Sequence, residues 1–238
     1  MANFDGIFSV KKWSYIISHS LHSKISQIIH ILKENVDLVP QTMTAGIKKK
    51  YGKDPYLVLI SCLLSLRTKD TVTLPASIRL FEQAKTPQEM LEVPISTIEK
   101  LIYPVGFYRK KARLLHAVSK DLINRFESKV PSTEEELLSI NGVGRKTANL
   151  VLGEGFGIPA ICVDTHVHRV SNRLGIITTK TPMETEIELK KIIPEKDWII
   201  FNQLLVGWGQ SICVPISPFC SKCPLNKVCK KVGVTKSR

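Results

Sequence analysis

The sequence predicts an all-α fold, and three observations lead to that prediction. Apolar residues recur at steps of three and four, the spacing that places side chains on one face of a helix. Two examples are Leu115, Val118, Leu122 and Phe126, and then Val167, Val170 and Leu174. No stretch alternates apolar and polar residues for long, as an exposed strand would. Residues that start and stop helices flank the apolar segments, which indicates helices joined by short loops.

The individual helices follow from these signals in chain order. The longest apolar run, Tyr56 to Leu66, suits a buried helix. Ser132 precedes TEEELLSI, whose acids would lie in the first turn of a helix, where the helix dipole favours negative charge. Another helix is predicted to begin near Arg145. Three glycines are expected to close it after Leu152: Gly153, Gly155 and Gly157.

Length and charge narrow the classes of protein and partner. With 238 residues, 43% of them hydrophobic, the chain is long enough for one large core or two smaller ones. Lysine and arginine number 34 against 21 acids, and the net charge of +13 predicts a polyanionic partner such as nucleic acid. Three basic runs are each interpreted as solvated faces: KKKYGK (48–53), RKKAR (109–113) and KKVGVTKSR (230–238). The second follows Phe107 and Tyr108, aromatic residues that could stack on bases.

The first residues and the cysteines predict a reducing, intracellular compartment. MANFDGIFSVKKW lacks the cationic leader, long apolar stretch and cleavage site of a secretory signal, and no apolar run approaches the length of a membrane span. Cys62 and Cys162 stand alone in apolar sequence. Four other cysteines fall within 17 residues: Cys213, Cys220, Cys223 and Cys229. In a reducing compartment such a group is expected to bind metal rather than form disulfides.

The spacing of these four cysteines, C-x6-C-x2-C-x5-C, leaves two kinds of metal site open. Structural zinc modules commonly pair two tight C-x2-C turns, and only one is present. Four thiolates from one irregular loop can also hold a [4Fe-4S] cluster. The cluster is the favoured interpretation, and a tetrahedral zinc site is the alternative.

The segment SINGVGRKTANLVL (139–152) places two glycines at the start of a helix. Gly142 and Gly144 can adopt positive φ and let another backbone approach closely. The first amides of a helix that begins near Arg145 have no partner within the helix. Together with the positive end of the helix dipole, they could bind a phosphate. A plain turn between two helices is the simpler interpretation of G-x-G alone.

Further motifs flank this segment in a definite order. They are LLSLRTKD (63–70), LIYPVGFYRKKA (101–112), VDTHVHRVSNRLG (163–175) and the cysteine spacing near the carboxyl end. Together with the glycine segment they resemble the endonuclease III branch of the helix-hairpin-helix DNA glycosylase superfamily. The resemblance covers about Leu57 to Cys229, and the cysteine spacing is its most specific part.

The resemblance implies two all-α domains and an iron-sulfur cluster loop. A continuous six-helix domain with the helix-hairpin-helix would cover residues 48–158, and the second domain would combine 1–47 with 159–238. The four clustered cysteines would hold a [4Fe-4S] cluster with a structural and electrostatic role. Residues 1–25 form an extension without an assigned role.

The resemblance also implies a catalytic pair, Lys146 as nucleophile and Asp164 as its carboxylate partner. The Lys146 amine would attack C1′ of a damaged nucleotide, while Asp164 would stabilise positive charge developing on the sugar. An ordinary lysine has a pKa near 10.4, so this chemistry requires a lowered pKa. The helix N-terminus, Arg145 and partial desolvation would each act in that direction. The simpler interpretations are a phosphate contact for Lys146 and a helix N-cap for Asp164.

DNA contacts are implied at further positions. A base within a duplex must be extruded before chemistry can reach it. By resemblance, Phe107 is the apolar wedge, and Arg67 occupies the position of a polar inserting residue that is usually glutamine in the family. Arg67 therefore leaves the preferred opposite base open, and a core aromatic is the alternative for Phe107. In the hairpin, Gly142, Gly144 and Arg145 would contact the DNA backbone.

The implied function is base-excision repair. The protein is expected to be a DNA-associated, intracellular monomer that removes oxidised pyrimidines from double-stranded DNA and cleaves the strand at abasic sites by β-elimination, without membrane contact. One alternative is a non-catalytic DNA-binding module of the same fold, against which Lys146 and Asp164 argue. Another is a mismatch-specific glycosylase. Adenine-removing relatives generally lack lysine at the position of Lys146, which favours the lyase branch.

Overall fold

The computed structural model describes residues 22–238, and the regular structure of this range is helical, without strands. The prediction of an all-α fold is confirmed. The chain divides into two compact units, a central unit of residues 41–162 and a terminal unit whose described part is 22–40 together with 163–238. For the central unit the sequence predicts the bounds 48 and 158, compared with 41 and 162 in the structure. Of the amino-terminal extension, residues 1–21 lie outside the described residues.

The helices are named here in chain order. Helix α1 comprises residues 22–34 of the terminal unit. The central unit contains α2 (Met43–Tyr51), α3 (Pro55–Ser65), α4 (Asp70–Phe81), α5 (Pro87–Glu92), α6 (Ile95–Ile102), α7 (Tyr108–Phe126), α8 (Glu134–Leu138) and α9 (Arg145–Leu150), which runs into a π-helical segment (Val151–Phe156). The terminal unit continues with α10 (Thr165–Leu174), α11 (Pro182–Ile192) and α12 (Trp198–Ser211).

Helix α3 lies in the core of the central unit. Asp54 is its N-cap, because Oδ1 accepts hydrogen bonds from the amides of Tyr56 (2.8 Å) and Leu57 (3.0 Å). Pro55 opens the helix at a position where an amide would lack a helical partner in any case. Every residue from Tyr56 to Leu64 is buried. Since each buried leucine, isoleucine or valine contributes about 1.5–3 kcal/mol, this helix is a main source of stability.

Helix α7 uses the apolar face that the sequence predicts. Leu115, Val118 and Leu122 are buried, and Phe126 packs against the same core while partly exposed. This side of α7 contacts α5 and α6. The opposite side carries exposed charges, as the spacing of three and four requires.

The helix that begins at Arg145 ends later than predicted. Gly153 and Gly155 do not close it, because they lie within the π-helical segment, and the chain leaves helical geometry at Gly157, where φ is +77°. A Cβ atom on Gly155 would lie 2.9 Å from Cα of Pro55. Glycine at this position therefore permits close packing on the start of α3 rather than ending a helix.

The terminal unit has its own core, in which α10 packs against α12. The predicted face of α10 is buried, and it meets large side chains of α12. These buried residues are Val167, Val170 and Leu174 on α10, and Phe201, Leu205 and Trp208 on α12. None of the helices described between residues 22 and 238 has both the length and the apolar character needed to cross a membrane.

Candidate functional site

A tight turn between α8 and α9 carries the two glycines of the hairpin, residues 133–150. The N-cap of helix α8 is Thr133, the residue that follows Ser132. Gly142 has a φ of +85°, whereas Gly144 has a φ of −97° and is the N-cap of α9, without a side-chain cap. No atom lies within 4 Å of a Cβ placed on Gly144. The backbone at the start of α9 is therefore open to an approaching ligand.

Arg145 and Lys146 occupy the first turn of α9, and both are exposed. Nη1 of Arg145 lies 3.1 Å from Oε1 of Glu134, an ion pair that joins the two helices of the hairpin. The thiol of Cys162 donates a hydrogen bond to the carbonyl oxygen of Lys146 (3.3 Å). Burial raises the pKa of the Cys62 thiol in α3 to about 12, and the positive charge of Lys146 opposes that rise. The ion pair of Arg145 and the hydrogen bond from Cys162 therefore hold the helical turn that carries Lys146.

Arg67 and Phe107 lie side by side, although they are distant in the sequence. Cζ of Arg67 is 6.0 Å from the centre of the Phe107 ring. Both residues have left-handed backbone, with φ values of 55° and 59°. Phe107 is 58% exposed, so the alternative of a core aromatic is wrong. Together they form an exposed surface of the central unit, called here the Arg67–Phe107 edge.

Of the four charged residues in the basic run 109–113, one differs from the predicted solvated face. Arg109, Lys110 and Arg113 are exposed, but Lys111 is only 6% exposed. Lys111 lies four residues before Leu115, on the buried face of α7. The periodicity of the sequence contained this signal, because a residue four before a core position shares its face. The positive charge of Lys111 favours a solvated position, whereas its place in the helix favours the core.

Asp164 caps α10 in the terminal unit. Its Oδ1 accepts hydrogen bonds from the amides of His166 (2.8 Å) and Val167 (2.9 Å). The N-cap interpretation is therefore confirmed. Lys146 belongs to the central unit, which ends at Cys162, and Asp164 belongs to the terminal unit. The cap fixes the direction of the Asp164 carboxylate at the start of α10.

The four clustered cysteines line one pocket of the terminal unit. Cys213 follows α12, and the other three lie in or beside the 3₁₀ turns Cys220–Lys222 and Pro224–Lys227. The pocket opens to solvent, and its empty space, including the part open to solvent, is about 420 Å³. All six cysteines lie within the described residues, and none of them forms a disulfide. Within residues 22–238, no group of three or more His, Cys, Asp or Glu side chains is arranged to hold a single metal ion.

Three of the four sulfur atoms of this pocket accept hydrogen bonds from the protein. The pairs are Trp208 Nε1 to Cys223 Sγ (3.4 Å), Arg173 Nη1 to Cys213 Sγ (3.6 Å) and the Lys231 amide to Cys229 Sγ (3.3 Å). Burial raises the pKa of the Cys223 and Cys229 thiols above the ordinary value. Donors that point at sulfur stabilise thiolate ligands and set the electronic properties of a bound metal centre.

The chain is similar to known DNA repair proteins. The profile of the HhH-GPD superfamily, described as base excision DNA repair proteins, matches residues 60–195. Endonuclease III of Thermotoga maritima is 48% identical over 177 residues, which cover 74% of this chain and 83% of that protein. Endonuclease III of Bacillus subtilis is 37% identical over 179 residues, or 75% and 82% of the two chains.

Solved structures give the same result. A trapped covalent intermediate of endonuclease III with DNA, an estranged-adenine complex, superposes with a TM-score of 0.74 at 36% identity, covering 87% of this chain and 96% of that one. A thermostable thymine-DNA glycosylase superposes with a TM-score of 0.75 at 24% identity, covering 92% and 97%. At that identity the second likeness concerns the fold alone.

Proposed function

Because this chain belongs to the HhH-GPD superfamily of base excision DNA repair proteins, and within it to the endonuclease III family, we propose that it removes oxidised pyrimidines from duplex DNA. It is a DNA glycosylase with abasic-site lyase activity, as the resemblance in the sequence predicts. The observation that carries the proposal is the exposed Lys146 on the first turn of α9, beside an open hairpin backbone. Its place of action is the genomic DNA inside the cell.

The proposed reaction begins with the Lys146 amine. Its nitrogen forms a bond to C1′ as the bond from C1′ to the damaged base breaks, and the base leaves with a proton. The Asp164 carboxylate stabilises the positive charge on the sugar and accepts protons from the attacking amine. Opening of the sugar ring gives a Schiff base, and loss of a proton from C2′ then expels the 3′ phosphate. Water releases Lys146 for another cycle.

The experiment uses duplex oligonucleotides that carry one modified position: thymine glycol, an abasic site or a G·T mismatch. The protein should cut the thymine glycol and abasic strands without added alkali. Cleavage that requires alkali would contradict the lyase, and cleavage of the mismatch alone would support the mismatch-specific alternative. Tight binding without any product would support the non-catalytic module.

The hairpin is proposed to hold the DNA backbone through the open start of α9, with Arg145 nearby. Gly142→Ala should lower the free energy of unfolding by about 1–3 kcal/mol, because φ is +85° and the new Cβ would lie 2.7 Å from Cδ1 of Leu114. Gly144→Ala should change it by about 1 kcal/mol or less, since its φ is −97° and its surroundings are open. The added methyl group should nevertheless weaken binding to duplex DNA.

Urea denaturation and fluorescence anisotropy with labelled DNA separate these two effects. Equal DNA affinity of Gly144→Ala and the wild type would show that DNA does not approach this turn.

The proposed cofactor is a [4Fe-4S] cluster held by Cys213, Cys220, Cys223 and Cys229. Four thiols line one pocket. They come from one irregular loop with a single C-x2-C turn, a spacing that favours a cluster over a structural zinc site with two such turns. When bound, the cluster would supply structural cross-linking and a local charge. Four sulfur atoms of the protein would hold it, and three of them accept hydrogen bonds from N–H groups.

The purified protein should therefore be brown, with broad visible absorption and about four iron atoms per chain. Cys223→Ser should lose this absorption, because the pocket then lacks one thiolate. Cys162→Ser is the matched control, since Cys162 lies outside the pocket and its hydroxyl can still donate to the Lys146 carbonyl. A colourless preparation with one zinc ion per chain would contradict the assignment.

A further inference from the structure

Lys111 is a buried cation that the proposed reaction does not use. It lies on the core side of α7, and its Nζ donates hydrogen bonds to the carbonyl oxygens of Leu64 (2.7 Å) and Leu66 (2.6 Å) and to Oγ1 of Thr68 (3.2 Å). The last carbonyls of a helix have no partner within it and carry partial negative charge. The ammonium group of Lys111 therefore binds the carboxyl end of α3. The chain turns directly after this end, at Arg67.

The three hydrogen bonds require the charged form of the lysine. Burial lowers the pKa of Lys111 to about 8. At neutral pH about nine tenths of the molecules still carry the ammonium, which has three donors for three acceptors. A neutral amine would have only two donors. The contacts observed around Nζ thus match the protonation state at neutral pH.

The same contacts reach the other half of the Arg67–Phe107 edge. Oγ1 of Thr68 also accepts a hydrogen bond from the amide of Gly106 (3.1 Å), the residue before Phe107. A Cβ on Gly106 would lie 3.1 Å from the carbonyl oxygen of Arg67, so the two loops touch through their backbones. Lys111 and Thr68 therefore connect the loop of Arg67 to the turn of Phe107.

Both side chains of the edge stand on left-handed backbone. A non-glycine residue in this conformation is strained and persists only where its surroundings hold it. Arg67 is held by the contacts of Lys111 on either side of it, at Leu66 and Thr68. Phe107 is held through Gly106 and by its place at the start of α7, which also carries Lys111.

We propose that Lys111 is a positioning residue, which holds Arg67 and Phe107 as one preformed edge for insertion into DNA. This inference rests on the proposed function, in which these two side chains fill the space of the extruded nucleotide. Side chains ordered before binding lose less conformational entropy when they insert. Loss of the Lys111 contacts should therefore impair base extrusion more than the later chemistry.

The test compares Lys111→Met with the wild type on two substrates. One carries thymine glycol in a fully paired duplex, and the other carries it within a short mispaired bubble, where extrusion costs little. Lys111→Met should lose about tenfold in single-turnover excision on the paired duplex and about twofold or less on the bubble, because only the paired duplex must be opened to extrude the nucleotide. A 2-aminopurine next to the lesion should show a smaller fluorescence rise.

Two further variants keep the result interpretable. Lys120→Met makes the same substitution at an exposed position of α7 and should behave like the wild type on both substrates. Thr68→Val preserves the shape of the side chain but removes the shared acceptor, and it should show the same pattern more weakly. If thermal unfolding shows that Lys111→Met does not fold, Thr68→Val tests the proposal in its place.

Equal losses on the paired and mispaired substrates, or no loss on either, would overturn the positioning role. A wild-type protein that excises nothing from either substrate would instead overturn the proposed function.

Discussion

Replacement of Lys146 by alanine should abolish the covalent adduct that borohydride traps between the protein and abasic duplex DNA. The side chain is exposed on the first turn of α9, so its removal should leave folding intact. Without the amine no Schiff base can form, and strand cleavage should fall by about 10³-fold or more, as expected when a covalent nucleophile is lost. Adduct formation is measured by the shift of labelled DNA on a denaturing gel.

Lys146→Arg is the matched control because it retains the positive charge. If Lys146 only contacts a phosphate, this variant should cleave abasic DNA nearly as well as the wild type. If Lys146 is the nucleophile, the variant should bind DNA and yield no adduct, since a guanidinium remains protonated at neutral pH. An adduct that persists in both variants would assign the nucleophile to another residue.

Asp164→Asn should separate the two roles of this side chain. An asparagine oxygen can accept the same hydrogen bonds from the amides of His166 and Val167, so the cap of α10 is retained. The free energy of unfolding should change by about 1 kcal/mol or less, reflecting the loss of a charge at a helix N-terminus. Base excision should nevertheless fall by about 10²–10³-fold, because the developing positive charge on the sugar loses its carboxylate.

Asp164→Ala provides the complementary comparison. It removes both the cap and the charge, so it should destabilise the protein by about 0.5–2 kcal/mol and lose activity to a similar extent as Asp164→Asn. Single-turnover excision and urea denaturation measure the two effects independently. Full activity in Asp164→Asn would contradict the catalytic role of Asp164 and leave it only the role of helix N-cap.

Local patterns in the sequence predict most of the helical architecture. The apolar run of α3 and the spacing of Leu115, Val118 and Leu122 on α7 identify buried faces, because a helix places residues three and four apart on one side. The same holds for Val167 and its neighbours on α10. These features depend only on the residues of one segment, and the structure confirms them.

The errors occur where a residue's partner is distant in the sequence. The sequence predicts a helix end at Gly155, but the nearby Pro55 backbone explains why a glycine is needed there. The basic run predicts a solvated face for Lys111, yet the carbonyl groups at the end of α3 provide partners for its charge within the core. Neither partner can be read from the residues next to these positions.

The candidate site also contains features that one segment predicts and features that depend on distant residues. The cysteine spacing and the hairpin motif are local, and the structure brings the four cysteines to one pocket and opens the backbone at Gly144. The resemblance implies a DNA-inserting role for Arg67 and for Phe107 separately, whereas their proximity depends on tertiary packing. The catalytic pairing of Lys146 and Asp164 stays a prediction for the variants above.

The division of the chain into units has a consequence for its biosynthesis. Residues 41–162 form one continuous stretch, so a ribosome finishes the whole central unit while most of the terminal unit is still untranslated. Helix α1 belongs to the same unit as α10 to α12, so this unit cannot be completed before those helices are synthesised. All four clustered cysteines are synthesised after α12. Domains generally fold as units during synthesis. The nascent chain therefore completes the hairpin that carries Lys146 before the thiols that would receive iron have been made.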